Sequence, residues 1–78
     1  MQTTQQLLAA GIRYRLAIID KSQRWLADQI GISKDALSRR MTGKTNFDVD
    51  MADRIASILG TDFSGLLALP EDAFRRAA

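Results

Sequence analysis

If residues 34–41 are helical, Lys34, Asp35, Ser38 and Arg39 share the side turned away from Leu37 and Met41, which are four apart and face inward. Two cations, a carboxylate and a hydroxyl on one short helix are groups that can read base edges. The major groove of B-DNA is about 12 Å wide and accepts a helix. Arg39 can donate a bidentate pair to guanine O6 and N7, and Lys34 can do the same less directionally. Asp35 is only an acceptor when ionised, so beside phosphates it is costly unless it meets a donor such as cytosine N4. A second explanation of Asp35 is local: a negative charge in a first turn complements the helix dipole. Both readings stand at this point.

The segment before this helix specifies how it is held. Leu26, Ala27 and Ile30 fall on one face, which predicts a short amphipathic helix over 23–30. Gly31 ends it, because glycine reaches positive φ without a Cβ clash and lets the chain turn sharply. Ile32 then enters the core, and the Ser33 hydroxyl caps the next helix by accepting from an unpaired backbone N–H. Ala27 is small enough for two helices to cross closely, at roughly 90–120°. Together these features predict a helix-turn-helix, and double-stranded DNA as the partner.

The stretch resembles the Cro and lambda-repressor-like family of helix-turn-helix proteins, also called the XRE family. The resemblance rests on Ser22-Gln23, Leu26-Ala27, Ile30-Gly31-Ile32-Ser33, Leu37-Ser38-Arg39 and Thr42-Gly43-Lys44. It continues through Asp48, Ala52, Ile55-Ala56, Leu59-Gly60 and Leu66-Leu67, covering roughly residues 8 to 69. It implies a compact bundle with helices 2 and 3 exposed at one end, and base readout from Lys34, Asp35, Ser38 and Arg39. It also implies phosphate contacts from Gln23 at the start of helix 2 and from Thr42, Lys44 and Thr45 after helix 3. Such contacts position the reading helix without carrying sequence information. Ser33 can add a contact after capping, and Arg40 is a further phosphate candidate whose stem can instead cover apolar surface. The chain departs from the family where many members carry a charged pair between helix 1 and the end of helix 3. Leu16 and Met41 stand there, and an apolar pair avoids desolvating two ions.

Seventy-eight residues predict a single domain, with a core over about 5–69 and a tail over 70–78. The absence of Cys and His excludes disulfides and thiolate sites and removes the commonest metal ligand and general base. No acid, base and nucleophile constellation is visible, so an enzyme is not expected, nor is a cofactor or a small-molecule ligand. No apolar run approaches the ~18 residues of a membrane span, which leads to an expectation of a cytoplasmic protein without membrane contact. Net charge is only +2, but residues 13 to 44 hold eight basic against three acidic side chains, and residues 45 to 78 hold three against six. One part of the fold can therefore carry a positive face.

Five helices and no convincing strand predict an all-α fold. Helix 1 is expected from about Thr4 to Asp20 with a stripe of Leu8, Ile12, Leu16 and Ile19. A second line, Leu7, Tyr14 and Ile18 with Gly11 between, is either buried in the bundle or turned toward another subunit. Asp48 should cap helix 4, with Val49, Ala52, Ile55, Ala56 and Leu59 on its inner face and Gly60 at its close. Asp62 should cap a last short helix carrying Phe63, Leu66 and Leu67 and ended by Pro70. Trp25, just off the helix 2 core face, is read as half-buried packing, since duplex bases are not exposed to it.

The functional expectation is a sequence-specific DNA-binding regulator of transcription of the repressor type, acting as a homodimer on two half-sites or as several copies on tandem sites. One recognition helix reads only a few base pairs. The alternatives are an interaction module such as the antitoxin of a toxin pair, or the DNA-binding fragment of a larger regulator.

Overall fold

The computed structural model describes residues 2–68. They form α1 (Thr4–Ile19), α2 (Gln23–Ile30), α3 (Lys34–Met41), α4 (Val49–Ile58) and α5 (Phe63–Leu67). The expectations for Pro70 and for the tail fall outside the described residues.

Each helix starts on a side chain that satisfies one of its free N–H groups. Thr3 accepts from the Gln6 N–H while the Gln6 side chain accepts from the Thr3 N–H, a reciprocal capping box. Ser22, Ser33, Asp48 and Asp62 accept from the N–H groups of Trp25, Ala36, Met51 and Gly65. A cap of this kind contributes about 1 kcal/mol. That is significant where helices of five to ten residues have little stability of their own.

All five helices meet in the middle of the bundle. Leu8 and Ile12 of α1, Leu26 of α2, Leu37 of α3, Ile55 of α4 and Leu66 of α5 are the largest side chains shut away from solvent. Leu16 and Met41 are both buried in the same cluster, so the site of the family's charged pair is apolar here. No polar or charged residue is buried among the described residues. Trp25 is half-buried against the cluster, with the Lys21 ammonium 5.6 Å from its ring centre.

Two core expectations are corrected. Ile19 is 41% exposed, because it is the last residue of α1 and the chain turns away at Asp20, whose φ is +56°. Aspartate tolerates this left-handed conformation better than most residues do. Val49 is 70% exposed as the first residue of α4, while Ala52, Ile55, Ala56 and Leu59 are buried as expected. The second line on α1 is not buried by the described residues: Ile18 is 56% exposed, and Leu7 and Tyr14 are half-buried.

Gly11 lies between those three residues and is itself covered, because α5 crosses α1 there. A Cβ at Gly11 would collide with the Leu66 carbonyl oxygen, a backbone atom that cannot rotate aside. Gly11→Ala is therefore expected to destabilise the fold by about 1–3 kcal/mol. Thermal melting should register this as a fall of roughly 4–8 °C per kcal/mol for a domain of this size. An unchanged midpoint would mean that α5 does not pack as described.

Candidate nucleic-acid interface

The junction of α2 and α3 is built around one carbonyl. The Gly31 and Ile32 N–H groups both donate to the Ala27 oxygen, at 2.9 and 3.0 Å, with Gly31 at φ +79°. The Arg54 guanidinium of α4 donates to the Ile30 oxygen at 3.1 Å, placing a cation at the carbonyl end of α2. Ile32 packs half-buried against the core, and Ser33 then opens α3.

This arrangement sorts the side chains of α3 by face. Leu37 is 0% and Met41 3% exposed, while Lys34, Asp35 and Arg39 are exposed and Ser38 is half-buried. Eight residues make a helix about 12 Å long, enough to lie along a few base pairs. Asp35 sits in the first turn and Arg39 in the last, each where its charge suits the helix dipole. The dipole account of Asp35 thus has its geometry, and the exposed carboxylate leaves the base-reading account open as well.

The expected phosphate contacts flank this helix in chemically different states. Gln23 is the first residue of α2, next to N–H groups with no intrahelical acceptor. The Ser33 hydroxyl accepts from the Ala36 N–H and keeps its own proton to donate. Thr42 is the reverse: its hydroxyl donates to the Ser38 oxygen at 2.9 Å, leaving acceptor sites to face a phosphate that is itself an acceptor. The Lys44 and Thr45 N–H groups both return to the Arg39 oxygen, at 2.9 and 3.1 Å, so it is their exposed side chains that remain available. Arg40 is half-buried, with Nη1 donating to the Ala36 oxygen at 2.9 Å and Nε buried without a partner among the described residues. Its guanidinium lies back along its own helix, so it is less extended toward solvent than Lys34 or Arg39.

Three contacts that sequence reasoning did not find hold the loop after α3. The Gln5 side chain pairs with both backbone groups of Phe47, accepting from its N–H at 2.6 Å and donating to its oxygen at 3.2 Å. Phe47 itself is 5% exposed and belongs to the core. The Arg13 guanidinium donates to the Met41 oxygen at 3.1 Å, at the carbonyl end of α3. The capping box at Thr3 and Gln6, also not expected, did have a readable signal, Thr-x-x-Gln. A side chain that bonds a backbone 42 residues away leaves no periodicity to detect.

A protein-family model described as helix-turn-helix matches residues 12–66, more than half of the chain. The chain belongs to this family, of Cro-type and XRE-like helix-turn-helix domains, and it is a DNA-binding domain of all-α fold. No curated protein and no solved structure matches it. No helix among the described residues is long and apolar enough to cross a membrane.

The Gln5 clamp yields a test of how the loop is held. Gln5→Ala leaves the part-buried Phe47 N–H and oxygen without that partner, an expected loss of about 1–3 kcal/mol. Equilibrium urea unfolding should show a lower midpoint, with the slope unchanged. A midpoint equal to the parent's would mean that the loop is anchored by Phe47 packing alone.

Proposed function

We propose that the protein binds double-stranded DNA sequence-specifically and regulates transcription as a repressor, by occupying an operator in the cytoplasm. The observation that carries this reading is the sorting of α3, with Leu37 and Met41 buried and Lys34, Asp35 and Arg39 outward at a glycine-hinged junction. In this reading Arg39 and Lys34 read base edges, with Asp35 and Ser38 beside them. Gln23, Ser33, Lys44 and Thr45 hold phosphates, while Thr42 and Arg40 contribute less: the Thr42 hydroxyl proton is given to the Ser38 oxygen, and the half-buried Arg40 guanidinium is drawn back along α3 by its bond to the Ala36 oxygen. A homodimer on two half-sites about 34 Å apart supplies the discrimination that one short helix lacks.

A second reading, an interaction module of the antitoxin kind, draws on the uncovered Ile18 beside half-buried Leu7 and Tyr14. Selection of bound duplexes from a random pool distinguishes the two. A palindromic motif is expected, and a flat profile would favour the interaction module.

Two substitutions then separate reading from holding. Arg39→Ala should cost about 1–3 kcal/mol on the selected site and relax preference at one base position. Lys44→Ala should weaken selected and random duplexes alike and lower the salt slope by about one unit. If both variants act equally on both kinds of DNA, α3 is not the reading element.

A further inference from the structure

An open groove of about 760 Å³ lies between the N-terminal half of α1 and the loop after α3, with Gln6, Ala9, Arg13, Thr42, Gly43 and Asn46 in its wall. No acidic residue lines it, and Arg13 is the cation in it. One N–H of the Arg13 guanidinium is used on the Met41 oxygen, which fixes the head at the rim beside Thr42. Its other donors make no hydrogen bond to the described residues, out of the five that a guanidinium carries. A planar fork with one leg tethered and the rest free is suited to a tetrahedral oxyanion. The rest of the wall mixes apolar surface at Ala9 and Met41 with the amide side chains of Gln6 and Asn46, which can donate to the same group.

The position of the groove says which oxyanion. Its far wall is the start of the loop that carries Lys44 and Thr45, anchored to α1 by the Gln5 pairing with Phe47. In the proposed DNA-bound arrangement, a duplex backbone held by Lys44 and Thr45 of that loop passes the mouth of the groove. We infer that the groove takes one phosphate of the bound duplex, with Arg13 as its cation, so that α1 extends the DNA footprint beyond the helix-turn-helix. This rests on the proposed DNA binding. It adds a contact that positions the protein and reads no base.

The test compares the parent, Arg13→Met and Arg13→Lys on the selected duplex and on a random one across a salt series, with thermal melting in parallel. Arg13→Met keeps an apolar stem and removes the charge. It should lower the magnitude of the salt slope by about 0.9 on both duplexes while leaving their ranking unchanged, and Arg13→Lys should restore the slope. In addition, a methylphosphonate scan of the duplex should find one position where neutralising the phosphate weakens the parent but not Arg13→Met. An unchanged slope in Arg13→Met overturns the inference. So does a loss that tracks a lower melting midpoint and is not recovered by lysine, because Arg13 would then act only by bracing Met41. If the parent binds neither duplex, the DNA reading itself fails and this inference with it; a parent that binds with a normal slope separates the two failures.

Discussion

Everything the α3 surface can do depends on the Ala27 carbonyl and the left-handed residue that follows it. By receiving both the Gly31 and the Ile32 N–H, that oxygen ends α2 abruptly. The positive φ of Gly31 then redirects the chain within two residues, and Ser33 begins a new helix. A side chain at Gly31 would meet no atom within contact distance, so the demand for glycine is conformational and not steric. Without this turn α2 and α3 would run on as one rod, and Leu37 could not point inward while Arg39 points out.

The rest of the bundle serves that junction by fixing its two ends. Arg54 of α4 holds the carbonyl end of α2, and Arg13 of α1 holds the carbonyl end of α3. Both place a cation where the helix dipole is negative, and both link a short helix to a neighbour across the core. The core itself is apolar throughout the described residues, with each of the five helices contributing to its centre. Directional polar contacts therefore sit at the edges, where they set orientation without the penalty of burying a charge.

What the residues revealed in advance follows from how local each signal is. The α2–α3 pair, its buried set, and the caps at Ser33, Asp48 and Asp62 were legible because each is encoded within a few residues. Ile19 and Val49 were misplaced for a related reason: periodicity assigns a face but does not say where a helix leaves its neighbours. The Asp20 turn carried no glycine to announce it. Contacts such as Gln5 with Phe47, Arg13 with Met41 and Arg54 with Ile30 join parts of the chain 24 to 42 residues apart. Nothing in the pattern of either partner marks them, yet they decide how the loop beside α3 sits and which donors remain free. The chemistry of the site was thus visible as residue types, while the state of each donor was not; Thr42 and Arg40 show the difference most clearly.

The outward side of α3 is the surface proposed to meet the duplex. Backbone amide chemical shifts, followed as the selected duplex is added, address it directly. The largest changes should fall on residues 33 to 39, with Gln23 and the loop at Lys44 and Thr45 next, and the outer face of α4 little altered. Large changes along α4 with α3 unmoved would contradict the account.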